Sequence, residues 1–383
     1  MIGEVLLLVG TRPEAVKIAP VVMALTGHPA LRPVIVHSGQ HPAMVHQALR
    51  PFGLRPDFEI TVDRRTGSQA ELVAAVLPAL DELIVRRRPA AVVVQGDTNT
   101  TLAGALAAFW RQVPVVHLEA GLRSGDLAAP FPEEGSRQMV SRLAALHLAP
   151  TQAAASALRA ESVPSGRIVI TGNTVVDAVQ HIAHADRPAE NPAVSAVEHQ
   201  VDAFGARLML VTAHRRESWG EPLARVLQAV RAIVDHHHDL IVLLPAHPNP
   251  AVGAQVQAAL GDHPRVAITG PLEYPDLVRV LRFADLVLTD SGGIQEEAPS
   301  FGTPVLVLRD VTERREAIDA GCAWLVGTEP ARIVAEATRV LRSGLRISLN
   351  RNPYGDGRAG GRVAHELVRL LSPGRHRAFV AAS

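Results

Sequence analysis

The sequence predicts an α/β fold built as two similar halves, each on a parallel sheet. Short apolar, β-branched runs alternate with helical patterns along the chain, as parallel sheets with right-handed crossovers require. With 383 residues the chain exceeds one ordinary domain and suits two, each able to bury a core. From His181 to Gln200 it turns polar, with Pro188 and Pro192 and no long apolar run, which reads as a connection between the halves.

Charge and composition exclude several classes. Lys plus Arg equals Asp plus Glu at 38 each, so no overall basic field attracts nucleic acid or an anionic membrane. The lone Cys322 excludes an intramolecular disulfide and a cysteine zinc site, and reads as a small buried apolar residue. Val5 to Val9 is too short for a signal peptide or a membrane span, and no longer uninterrupted apolar segment follows. The expectation is a soluble, cytoplasmic chain.

In the first half, Val5 to Val9 is a strand that leads into Gly10-Thr11-Arg12-Pro13-Glu14 and a helix. Pro13 suits a first helical position, and the glycine turn aims backbone N–H groups above the sheet. Arg12 and Lys17 either add positive charge there or are solvated. Val34 to His37 is the second strand and ends in Ser38-Gly39-Gln40-His41; Gln69 to Arg88 is a helix whose last arginines complement its dipole. Ala91 to Val94 is a buried strand that delivers Gln95-Gly96-Asp97. Asp97 is either a helix N-cap, worth about 1 kcal/mol, or a catalytic carboxylate.

The next stretch, Pro114 to Arg137, is the densest in acids, bases and turn residues. An apolar run ends in His117-Leu118-Glu119, placing a carboxylate where open α/β sheets hold their ligands. A loop with Arg123 and Asp126 follows, then Glu133-Glu134 in a first helical turn that welcomes negative charge. Leu146 to Ala149 and Ile168 to Ile170 are further strands, with a helix from Thr151 between them.

The second half repeats the scheme. Its strands are Leu208 to Thr212, which runs into Ala213-His214-Arg215, then Ile241 to Leu244, Val266 to Ile268 and Leu286 to Thr289. The last opens into Asp290-Ser291-Gly292-Gly293 and Glu297, where glycines at a helix start let a diphosphate approach free N–H groups and an acid can accept from ribose hydroxyls. Pro304 to Leu308 leads to a charged strand end, Arg309 to Arg314, and a final helix about Val363 to Leu371 follows a glycine-rich turn. Because both halves carry their polar residues at strand C-termini, the ligand is expected in an interdomain cleft. Ser291 to Glu297 would line one wall, and Asp97, Glu119, Glu133, Arg137 and Arg12 the other, with His214 opposite. Several carboxylates near one anionic ligand suit proton transfer better than plain binding.

GTRPEAVKIAP, QGDTNTT, HLEAGLRSGD, PFPEEGSRQ, VTAHRRES, TDSGGIQEEAPSFGTPVLVLRD, VTER and NPYGDGRAGGR occur in this order over nearly the whole chain. Together they resemble the motif set of the non-hydrolysing UDP-N-acetylglucosamine 2-epimerases. The resemblance implies a GT-B fold of two Rossmann-like, doubly wound domains, with residues 1–172 carrying the catalytic carboxylates, residues 173–362 binding UDP, and a C-terminal helix about 363–383 packing back on the first domain. It implies epimerisation at C2 of UDP-N-acetylglucosamine by elimination of UDP to a 2-acetamidoglucal and re-addition, without NAD, metal or other cofactor. Asp97, Glu119, Glu133 and His214 then match catalytic positions. Arg12, Lys17, Arg137, Ser291, Gly292, Gly293, Glu297 and Arg314 match positions that hold UDP or shape its site, Glu297 on the ribose. Gln40, His41 and Gln69 match a neighbouring activation site for a second substrate molecule, and the resemblance suggests a homodimer.

The chain departs from the pattern at Ala43 and Ser68, which bear on activation, at Ser136 beside the catalytic helix, and at Arg315 after the TER motif. A GT-B glycosyltransferase would share the diphosphate cradle but need an acceptor site. A hydrolysing 2-epimerase would share the elimination and release free N-acetylmannosamine with UDP.

Overall fold

A computed structural model describes residues 3–213, 215 and 219–372. The chain divides into two compact units, residues 1–178 with 354–383, and residues 179–353.

In unit 1 the strands are β1 (Gly3–Val9), β2 (Leu31–His37), β3 (Phe58–Glu59), β4 (Ala91–Gln95), β5 (Val115–Leu118), β6 (Leu146–Ala149) and β7 (Ile168–Ile170). They alternate with α1 (Arg12–Leu25), α2 (Pro42–Leu49), α3 (Gln69–Arg87), α4 (Asn99–Trp110), α5 (Glu133–Leu143) and α6 (Gln152–Ala160), and α7 (Thr174–Ala185) begins in unit 1 and continues into unit 2. Among the described residues they form one parallel sheet in the order β3-β2-β1-β4-β5-β6-β7. Val5 through Val9 are all buried, as a central strand covered by helices on both faces demands. Leu6, Leu8, Val34, Val92 and Val94 point to the face packed by Leu72, Val76 and Leu80 of α3 and by the alanines of α4.

The strand order reverses at β1, which pairs with β2 on one side and β4 on the other. In an open α/β sheet the crevice beyond such a switch point is the default ligand position. The turn after β1 enters it at Gly10, where a Cβ would lie 2.2 Å from Thr100 Oγ1 and 2.5 Å from Ser38 Oγ, so three strand-end turns meet there only because the residue is glycine.

Unit 2 contains α8 (Pro192–Phe204), β8 (Arg207–Thr212), α9 (Glu221–His236), β9 (Leu240–Pro245), α10 (Pro250–Leu260), β10 (Val266–Thr269), α11 (Tyr274–Phe283) and β11 (Leu286–Thr289). It continues with α12 (Gly292–Glu297), β12 (Val305–Val307), α13 (Arg315–Asp319), β13 (Ala323–Leu325) and α14 (Pro330–Ser343). Its described strands form a parallel sheet ordered β10-β9-β8-β11-β12-β13, with its own switch point between β8 and β11. Its core joins Met209, Val211 and Val242 to Val226, Val230 and Ile233 of α9 and to Ile333 and Val340 of α14.

The polar stretch from His181 to Gln200 is not an extended connection. It comprises the end of α7, a link over residues 186–191, and most of α8, whose cap Asn191 accepts the Ala193 amide at 2.9 Å. Only Val194 and Val197 of α8 are buried, too thin an apolar stripe to stand out as a helix in sequence. The final helix, α15 (Ala359–Leu371), belongs to unit 1 and packs on α1, its first turn held by Asp177, which accepts the Ala359 and Gly360 amides at 3.1 and 2.7 Å. No helix among the described residues is long and apolar enough to cross a membrane.

Candidate active site

At the switch point of unit 1, the turns after β1 and β4 are tied together by a buried carboxylate. Glu14 Oε2 accepts the amides of Gly10 and Thr11 at 2.9 and 2.7 Å, while Oε1 accepts the Thr98 hydroxyl at 2.6 Å. Burial pushes the Glu14 carboxyl above its ordinary pKa, against these donors. Asp97 precedes Thr98, and its Oδ2 lies 2.6 Å from the Arg137 guanidinium, which also reaches Glu134 at 3.3 Å. Thr98 is the residue that caps α4, accepting the Thr101 amide at 3.3 Å. Asp97 therefore does not cap the helix, and its carboxylate is committed to Arg137.

Glu119 follows β5 with φ of 63°, the left-handed region that non-glycine residues rarely occupy. Strain of this kind persists where surroundings over-determine it, and it gathers at functional sites. Here Glu119 Oε2 receives both the Lys17 ammonium and the Gln95 amide at 2.5 Å, with Lys17 and Gln95 buried. Lys17, reaching from α1, is thus placed on a carboxylate.

The loop beyond Glu119 is anchored by Arg123, which forms a bidentate pair with Glu161 at 2.5 and 2.9 Å and donates to Ser141 Oγ at 2.7 Å. It delivers Glu133 and Glu134 to the first turn of α5 with different surroundings. Glu134 is fully buried and accepts the Ser124 amide at 3.0 Å and the Gln138 amide at 3.1 Å. Burial alone would raise its pKa, but these donors and Arg137 hold it below the usual carboxylate range. Glu133 is half-buried, and its carboxylate has no hydrogen-bond or ion-pair partner among the described residues.

Two of the three residues matched to an activation site meet the first turn of α4. Gln40 Oε1 accepts the Thr100 hydroxyl at 3.0 Å, and Gln69 accepts from the Asn99 amide. His41 is exposed at the start of α2.

In unit 2, Thr212 and Thr289 join β8 to β11 through their hydroxyls at 2.6 Å, and Thr289 accepts the Ser291 amide at 2.9 Å. Asp290 is fully buried and accepts the Arg215 amide at 3.0 Å, fixing the turn after β8 to the start of α12. A Cβ at Gly292 would come 3.0 Å from Arg314 Cζ, whereas one at Gly293 would make only ordinary contacts. The Arg314 guanidinium is thus laid over the first turn of α12. Its Nε donates to Glu296 at 3.0 Å and its Nη1 to Glu313. Glu313 also takes Arg309 at 2.9 Å and lies 3.6 Å from Arg215. Burial opposes this carboxylate, but the three guanidiniums lower its pKa to about 2. Glu297 accepts the Tyr274 hydroxyl at 3.1 Å. His214 lies outside the described residues.

Sequence patterns did not reveal Glu14, Gln95 or Glu313, each of which holds groups from distant turns. The signal for Glu14 was its place three residues after Thr11, the spacing of a capping box. No cluster of His, Cys, Asp and Glu suited to a metal ion occurs among the described residues.

Two doubly wound parallel units, one with carboxylates at its switch point and the other with a glycine-started helix under arginines, define a chain of the GT-B class. A family model described as UDP-N-acetylglucosamine 2-epimerase matches residues 23–368. UDP-N-acetylglucosamine 2-epimerase of Escherichia coli (strain K12) is 41% identical over 371 residues, 95% of this chain and 98% of that protein. The protein of the same name from Bacillus subtilis (strain 168) is 41% identical over 370 residues, 95% of each chain. The crystal structure of UDP-GlcNAc 2-epimerase from Neisseria meningitidis bound to UDP-GlcNAc superposes with a TM-score of 0.86 at 35% identity, covering 96% of this chain and 100% of that one. The chain belongs to the UDP-N-acetylglucosamine 2-epimerase family.

Proposed function

We propose that this protein interconverts UDP-N-acetylglucosamine and UDP-N-acetylmannosamine by inverting C2 of the sugar. C2 is not adjacent to a carbonyl, so simple deprotonation has no resonance help. In the proposed route a carboxylate takes the C2 proton, the C1–O bond breaks with its electron pair leaving on UDP, and C1=C2 forms as a 2-acetamidoglucal. A proton then reaches C2 from the opposite face while the UDP oxygen re-forms its bond to C1. The observation that carries this reading, beside family membership, is the trio of strand-end and loop carboxylates in unit 1. Two of them are held beside cations, Asp97 on Arg137 and Glu119 on Lys17, and the third, Glu133, is unpartnered among the described residues.

Asp97, Glu119 and Glu133 are the proposed proton carriers, with His214 as a fourth catalytic group. Arg137 and Lys17 act through the carboxylates they touch. From unit 2 the amides of Gly292 and Gly293, with the Ser291 hydroxyl and Arg314, stabilise charge developing on the departing diphosphate. Arg12 adds charge from unit 1, and Glu297 accepts from the ribose.

Incubation with UDP-N-acetylglucosamine in deuterated water is the test. Deuterium at C2 of a UDP-linked manno sugar is expected. Free N-acetylmannosamine with UDP would instead mark a hydrolysing enzyme, and no reaction without an acceptor would mark a transferase.

We further propose that two copies of the chain associate. Val85, Phe109, Trp110 and Met139 are large exposed apolar residues on α3, α4 and α5, and α4 packs against both of the other helices. Light scattering should give twice the chain mass, and Trp110→Glu should halve it; a monomeric wild type would refute the association.

A further inference from the structure

We propose that His117 is a positioning residue that fixes the Asp97 carboxylate relative to Glu119 by donating its Nε2 proton to the Gly96 carbonyl. The proposal rests on the epimerase reading for its kinetic consequence and on geometry for its physical basis.

β4 and β5 run in register, with Val94 opposite His117 and Gln95 opposite Leu118. Beyond Gln95 the chain leaves the sheet at Gly96, whose φ is 71°. Both backbone polar groups of Gly96 are nevertheless held by β5. Its N–H donates to the Leu118 carbonyl at 3.0 Å, and its carbonyl lies 2.8 Å from His117 Nε2. The next residue is Asp97; two residues beyond His117 is Glu119. One imidazole therefore joins the strand that ends in one carboxylate to the turn that carries the other. On the far side of Asp97, Thr98 is held by Glu14, so the Asp97 backbone is fixed from both directions.

The side chain is a costly choice for packing alone. His117 is fully buried, and its Nδ1 has no hydrogen-bond partner among the described residues. An apolar side chain of similar volume would avoid that desolvation penalty. Burial lowers the His117 pKa to about 4, so the ring is neutral at neutral pH and the nitrogen facing the carbonyl carries its proton.

Two variants and one spectrum test the assignment. His117→Leu removes the donor and keeps the volume; His117→Gln keeps an amide N–H that extends about as far as Nε2. With UDP-N-acetylglucosamine as substrate, His117→Leu should lower kcat by about tenfold or more, the scale expected for a misplaced catalytic group. Its Kd for UDP should stay within about twofold of wild type. His117→Gln should recover most of the lost kcat. Wild-type kcat in the Leu variant, or equal loss in a folded Gln variant, would overturn the proposal. Nitrogen-15 NMR of the histidine-labelled wild type should show a neutral His117 with its proton on Nε2 at pH 7. A ring protonated on Nδ1, or on both nitrogens, would overturn it even if a variant failed to fold or the wild type did not turn over this substrate.

Discussion

Glu133 and Glu134 are neighbours in sequence with opposite fates. Both sit in the first turn of α5, where negative charge complements the helix dipole, and sequence position alone does not separate a capping role from a catalytic one. Partners do: Glu134 is enclosed by the Ser124 amide, Gln138 and Arg137, while Glu133 meets solvent without a partner among the described residues. Glu119 differs again, strained at φ 63° and doubly hydrogen-bonded on Oε2. Replacing Glu119 by Gln removes the negative charge opposite Lys17 while nearly preserving shape. Epimerisation should be abolished, with UDP affinity unchanged within about tenfold, or 1.4 kcal/mol. Calorimetric titration with UDP alongside a product assay checks this, and an active variant would remove Glu119 from the chemistry. The carboxylates were legible in the sequence because strand ends and first helical turns are positions a pattern can reveal. Glu14 and Gln95 were not, because their roles arise only when turns 80 or more residues apart, in the case of Glu14 and Thr98, or neighbouring strands, in the case of Gln95 and Glu119, are brought together.

Adjacent glycines in α15 show the same division for packing. Gly360 and Gly361 both lie in its first turn, and in sequence they read alike as part of a glycine-rich turn. A Cβ on Gly360 would stand 2.7 Å from the Pro20 carbonyl oxygen and 2.9 Å from its carbon, both backbone atoms of α1, whereas one on Gly361 would meet nothing within 4 Å. Alanine in place of helical glycine gains about 1 kcal/mol in propensity, but forcing a methyl against backbone costs about 1–3 kcal/mol. Gly361→Ala should therefore raise the melting temperature, and Gly360→Ala should lower it by loosening α15 from α1. Equal shifts in thermal unfolding of the two variants would mean that the helices do not pack this closely. The long central strands were visible as unbroken buried runs; β3, β13 and α8 were not, because two- or three-residue edge strands and a helix with two buried valines leave almost no periodic signal.

At the scale of the whole molecule, equal numbers of acidic and basic residues conceal an asymmetry between the units in how they meet acid. Unit 1 buries His37, His117 and His147, each with its pKa lowered chiefly by burial, to about 4 for His117 and about 3 for His147. As pH falls below 6.5, the unfolded chain takes up protons that these buried rings refuse, so unit 1 loses stability until the folded pKa values are reached. For His117 alone the drop from 6.5 to about 4 corresponds to roughly 3 kcal/mol, a large share of the 5–15 kcal/mol that holds a domain together. Among the described residues unit 2 has one such ring, His237, and its strongly shifted acid is Glu313. That carboxylate, lowered from 4.5 to about 2, stabilises the folded unit above pH 4.5 and loses its contribution only as pH falls from 4.5 towards 2. Acidification should therefore open unit 1 first. Hydrogen exchange read by mass spectrometry at pH 7, 6, 5 and 4, a range spanning the roughly 6.5 reference pKa of histidine and corrected for intrinsic rates, should show β5 and β6 losing protection before β8 and β11. Earlier loss in β8 and β11 would mean that the buried imidazoles do not set the acid limit.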